Sequence, residues 1–212
     1  MTLRRLLAAI ISPLFKRLAR AIPVDDPWEE LSVSLPLKYY ADGLQDDFPV
    51  YLRGPSNIAA HSIDEICDWL DQCSYQTDSE QFGREHWQHL LEFEDRRTGD
   101  CDDYAIWAWR KLIDLGYDAR LVVGKSLPIV NPLIGHVWVV FSAEARLYLL
   151  DGTAARDSMV RPLDDARTEY RPEYGADARG RRYAYSGALL TLKERDGIPK
   201  HRFDALNSRV DG

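Results

Sequence analysis

Apolar residues follow two different rhythms along this chain. Between residues 62 and 116 they recur at the three- and four-residue spacing of helices. Ser62-Ile63-Asp64-Glu65 has the capping-box spacing, and Ile63, Ile66, Cys67, Leu70 and Cys73 mark one face of a helix running to about residue 73. Cys67 and Cys73 are thereby expected in the core. A second helix is expected from about Ser79 to Phe93, carrying Phe82, His86, Trp87, Leu90 and Leu91. Arg96-Arg97-Thr98-Gly99 reads as a loop, and a third helix opens at Asp100. Asp100 suits its N-cap, Asp102 and Asp103 suit its first turn, and Gly116 suits its end. Ala105, Ala108, Leu112 and Leu115 continue the face that begins at Cys101. Then the period shortens. Residues 119–124, 136–141 and 146–151 are short runs rich in Val, Leu and aromatics, the signature of strands. Tyr183, Tyr185 and the apolar run 188–192 suggest a further strand, with the Arg179 to Arg182 cluster as a solvated loop.

The first 22 residues differ from the rest. They hold five of the 27 basic residues and none of the 34 acidic ones, with leucines and isoleucines at helical spacing, so a basic amphipathic helix bent at Pro13 is expected. Three roles fit it: packing on its own domain or a partner protein, lying on a membrane surface, or acting as a signal peptide. Lys16 and Arg17 disfavour the last, so a cytoplasmic location is expected, with membrane association through residues 1–22 as the alternative. Residues 23–61 read as a linker and irregular segment, 62–195 as the main domain and 196–212 as a C-terminal tail.

Composition excludes several classes. A 212-residue chain with 45% hydrophobic and 29% charged residues can build a core and is neither disordered nor fibrous. No apolar run approaches the ~20 residues of a membrane-spanning helix. The acidic body argues against nucleic-acid binding. Three cysteines without a CxxC pair make a disulfide framework and a structural zinc site improbable.

Chemistry concentrates at GDCDDYA, residues 99–105. A cysteine at a helix N-terminus has its thiolate favoured by the helix dipole, and an imidazolium beside it adds an opposite charge. If Ser142-Ala143-Glu144-Ala145 forms a four-residue hairpin loop, Phe141 pairs with Arg146 and His136 with Asp151. The two would then be direct cross-strand neighbours, Cβ atoms ~4.5–5.5 Å apart, and the carboxylate would orient the ring. Cys101 would attack a carbonyl to give a thioester, with its own backbone N–H as one oxyanion donor and Trp87 or Gln88 as source of a second. His61, His86, His89 and His201 read as surface or packing residues. Singly, each triad residue has an ordinary structural explanation; their joint spacing favours chemistry.

RTGDCDDYA at 97–105, LGYDARLVVG at 115–124, GHVWVVF at 135–141 and LYLLDGT at 147–153 resemble the transglutaminase-like superfamily, more closely its bacterial cysteine peptidase branch, over roughly residues 60–155. The resemblance implies an α+β, papain-like core with N-terminal helices and the cysteine helix packed on an antiparallel sheet. It further implies a Cys101-His136-Asp151 triad acting at amide bonds of a protein or peptide. The expected function is a cysteine-dependent amide hydrolase, with protein-glutamine acyl transfer or a catalytically silent interaction module as alternatives. No cofactor is expected; acidic residues beside the cysteine bind calcium in some relatives, which would give Asp100 and Asp102 a second role beside helix capping.

Overall fold

The computed structural model describes residues 21–31, 48–126 and 135–197. The amphipathic helix expected over residues 1–22 and the tail 196–212 fall almost wholly outside the described residues. Helices come first. The chain forms α1 (Val50–Arg53), α2 (Ile63–Asp71), α3 (Asp78–Phe82), α4 (Leu90–Arg96) and α5 (Cys101–Asp114). Strands β1 (Ser74–Tyr75) and β2 (Thr98–Gly99) pair in parallel between them, Tyr75 opposite Gly99. Ser62 caps α2 as its spacing predicts, accepting from the Glu65 N–H at 3.1 Å.

A six-stranded antiparallel sheet follows, ordered β6-β5-β4-β3-β7-β8, from β3 (Asp118–Ser126), β4 (His136–Ala143), β5 (Arg146–Leu150), β6 (Val160–Pro162), β7 (Tyr170–Asp177) and β8 (Arg182–Ala184). The short helix α6 (Leu163–Ala166) links β6 to β7, and α7 (Gly187–Gly197) follows β8. Alternation along the strands divides the core. Leu121, Val123, Val137, Val139, Phe141 and Leu150 pack against α5, whose Trp107, Ala108, Trp109 and Leu112 are fully buried. Val122, Trp138, Val140, Leu149 and Tyr170 form a second cluster on the opposite face, beneath Trp28. Both indole N–H groups of α5 are satisfied: Trp109 donates to Ala119 O at 3.0 Å and Trp107 to Glu94 Oε1 at 2.9 Å.

The structure changes four expectations. The helix expected from Ser79 to Phe93 is two short helices, because Gly83 takes the left-handed conformation (φ 67°) that ends α3. The expected strand over 188–192 lies within α7. Residues read as linker and irregular structure place Phe48 and Tyr51 in the core, and Trp28 against it, through isolated aromatics that leave no periodic signal. Finally, Glu144 and Ala145, with φ of 50° and 59°, make a two-residue hairpin loop in place of the expected four-residue one. Ala143 pairs with Arg146 and Phe141 with Tyr148, a slip of two positions. An even slip preserves side-chain parity.

Candidate active site

Helix α5 starts in a tightly bonded corner. Asp100 accepts from the Asp102 N–H at 3.3 Å, while Asp103 reaches back to the Asp100 N–H at 3.1 Å, completing a capping box. Asp103 also takes the Gln88 backbone N–H at 2.8 Å and side-chain N–H at 2.6 Å. Gly99 permits this closeness, since a Cβ there would stand 2.4 Å from Asp103 Oδ2. Cys101 is half-buried at the first helical position. Burial, then the charges of Asp100 and Asp102, push its thiol well above the ordinary value, opposed by a hydrogen bond from the Val137 N–H. Burial and the two aspartates thus work against the thiolate that the helix dipole favours.

Val137 N–H is the amide that joins it to His136, so the sulfur sits against the first peptide of β4. His136 is buried and shares the sheet face of Trp138, on which its ring stacks with centroids 6.0 Å apart. This is the face away from α5, so the thiol meets the strand at its end. His136 Nε2 lies 2.7 Å from Asp151 Oδ2. Continuing the register places Asp151 beside Trp138, diagonal to His136 and on the same face, so even parity keeps the contact although the direct pairing is lost. Asp151 also accepts from the Tyr170 hydroxyl at 2.7 Å and from Thr153 N and Oγ1 at 3.0 and 2.8 Å. Burial alone would raise the Asp151 carboxyl, but these bonds and the His136 contact outweigh it and hold it below the ordinary value.

Tyr170 reaches this face through a β-bulge. The β3–β7 register shifts between Val123 and Gly124, so that Gly124 pairs with Pro172 and Ser126 with Tyr170. Without the extra residue, Arg171 would oppose Ser126 and Tyr170 would turn away from Asp151.

A second group of acids adjoins the cysteine. Asp78, Asp100 and Asp102 each bring one oxygen within 4.8 Å of the others. Burial, then Asp100 and Asp103, raise the Asp102 carboxyl well above its usual range; burial is likewise the main cause that raises Asp78 to about 6. Asp78 Oδ1 and Asp102 Oδ1 are buried with no hydrogen-bond partner among the described residues.

The family model of the transglutaminase-like domain matches residues 51–158, half of the chain, and spans Cys101, His136 and Asp151. The chain belongs to the transglutaminase-like domain family. Among solved structures it is similar to Legionella pneumophila LapG, at 19% identity over 89% of this chain and 96% of that one, with a TM-score of 0.47. Calcium-bound Legionella pneumophila LapG gives 19% over 86% and 97%, TM-score 0.47, and a TGase gives 16% over 50% and 28%, TM-score 0.36. No protein of curated function matches the chain.

Trp87 and Gln88 commit their side-chain donors away from the sulfur. The Trp87 indole donates to Glu85 Oε1 at 3.0 Å, and the Gln88 amide is spent on Thr98 O at 3.0 Å and on Asp103. His86 pairs with Glu92 at 3.0 Å and the His89 ring lies against Tyr51, as packing residues do. Sequence reasoning missed Asp78, Thr153 and Tyr170. Thr153 had a signal, because an Asp followed two residues later by Thr marks a side-chain-bonded turn; Tyr170 depends on the bulge and had none.

Proposed function

We propose that this chain is a cysteine-dependent amide hydrolase of peptidase type, with Cys101 as nucleophile, His136 as base and Asp151 as the group that orients it. A transglutaminase-like domain supports peptidase-like or transglutaminase-like activity. One observation carries the finer reading: His136 commits its distal nitrogen to Asp151, while Cys101 Sγ lies against the peptide joining His136 to Val137. That leaves the ring's backbone-proximal Nδ1 for the thiol proton. His136 takes that proton as sulfur attacks the carbonyl carbon. The carbonyl π pair moves to oxygen, then returns as the C–N bond breaks, and His136 protonates the departing amine. Water, deprotonated by His136, resolves the thioester and regenerates the thiol. Water needs no second substrate site, which favours hydrolysis over amine transfer.

The acidic trio fits a divalent cation. Calcium takes six to eight oxygen ligands, and Asp78, Asp100 and Asp102 offer converging carboxylates, all raised chiefly by burial, with an orphaned oxygen on Asp78 and on Asp102 and a mutual repulsion that calls for positive charge. A bound cation there would supply that charge and fix the start of α5. Calcium at about 100 times its Kd should stabilise the fold by ~2.7 kcal/mol, read as a rise of several degrees in Tm. Asp102→Asn should abolish the rise; an undiminished response would place the ion elsewhere.

The function is tested by mass spectrometry of a peptide mixture incubated with the protein and a primary amine. Cleaved peptides that require Cys101 are expected. Amine-modified glutamines would favour the transferase, and neither product would favour a silent interaction module.

A further inference from the structure

An anionic tetrahedral intermediate is ordinarily held by two donors. The Cys101 N–H is one: it is the first amide of α5, whereas Asp102 N–H and Tyr104 N–H bond Asp100 and the Asp103 N–H enters the capping box. The side-chain donors of Trp87 and Gln88 and the Gln88 backbone N–H are engaged elsewhere. We propose that the Tyr75 hydroxyl is the second hydrogen-bond donor to the oxyanion formed at Cys101, an inference that rests on the hydrolase reading above.

Three observations converge on this residue. Tyr75 pairs with Gly99, two residues before the nucleophile, and the Gln76 N–H fixes that register by donating to Gly99 O at 2.9 Å. Its ring leans on Tyr104, one turn into α5, with centroids 6.5 Å apart. At 58% exposure it is a large aromatic left open to solvent on the strand that pairs with Gly99. The covered side of the ring and, after it, the charge formed on Cys101 raise the phenol above its ordinary value, so it stays a donor when the sulfur ionises. No proton leaves Tyr75 in the cycle: the hydroxyl donates to the oxygen as negative charge collects there and relaxes when the C=O bond re-forms.

Two reagents separate the roles of thiol and oxyanion. Iodoacetamide alkylates sulfur by displacement and forms no oxyanion, whereas p-nitrophenyl acetate acylates it through one. In the full chain, Tyr75→Phe should slow nitrophenolate release from acylation of Cys101 by about 10²-fold while the alkylation rate of Cys101 stays at the wild-type value. Tyr75→Ala should lose no more than Tyr75→Phe, because the ring itself is not the donor. Acylation of Tyr75→Phe at the wild-type rate would overturn the assignment. So would an equal loss in acylation and alkylation, which would place Tyr75 in the thiol's environment. A wild-type protein never acylated at Cys101 would overturn the hydrolase reading and this inference with it.

Discussion

Cys101→Ala should reduce amide hydrolysis to background, and Asp151→Asn should lower kcat by ~10³–10⁴-fold while leaving the thiol present and the fold intact. The hydrogen-bond pattern around Asp151 explains why so small a change costs so much. All four partners of the carboxylate approach as donors: Thr153 N–H, Thr153 hydroxyl, Tyr170 hydroxyl and His136 Nε2–H. The Thr153 backbone cannot reverse its role, so an asparagine must present its oxygen there and its NH2 group to Tyr170 and His136. That NH2 then donates to Nε2 and drives the ring proton to Nδ1. An Nδ1–H cannot accept the thiol proton. Activity within tenfold of wild type in Asp151→Asn would mean that His136 draws no tautomeric preference from Asp151, and the triad would be wrong.

The part of this site that sequence reveals is the part set by local rules. Gly99 through Asp103 announces a capped helix carrying a cysteine, and α5 begins there. The β4–β5 hairpin was legible as two strands, but its loop was misjudged, because Glu144 and Ala145 are not residues that ordinarily occupy left-handed positions. The His136–Asp151 contact survived that error because the slip was even. Tyr170 was illegible for the opposite reason: the bulge on β7 changes parity, and nothing local to residues 170–174 signals it. Asp78 was also hidden. It is one acid in an acidic stretch, and only the fold brings it to Asp100 and Asp102. The division of the second helix, in contrast, was readable, since Thr77-Asp78-Ser79-Glu80 is a capping box and Gly83 a natural stop.

The largest expected stability loss lies beneath the site. Glu94→Ala should destabilise the fold by ~3–5 kcal/mol, because it strips a buried lysine of its counter-ion. At this chain length that corresponds to a Tm lower by roughly 6–20 °C. Glu94 and Lys111 are each 2% exposed at the side chain and 3.3 Å apart. Glu94 also accepts from the Ser56 hydroxyl, from Asn57 N–H at 2.7 Å and from Trp107 at 2.9 Å, while Lys111 donates to Ser56 and Ile58 O. The pair thus ties residues 56–58 to α4 and α5, the helices that precede and carry Cys101. Burial alone would raise the Glu94 carboxyl, but these donors and Lys111 outweigh it and hold it below its ordinary 4.5. Stability from this depression is fully present above about pH 4.5 and is lost as pH falls through the lower folded value. Glu94→Gln, which cannot ionise, should therefore lose its deficit relative to wild type as the pH is lowered through that range. Replacing both partners, Glu94→Leu with Lys111→Met, should cost less than the sum of the single changes, since no charge is left stranded. Chemical denaturation of the three variants measures the coupling, and strict additivity would show that the two charges do not support one another.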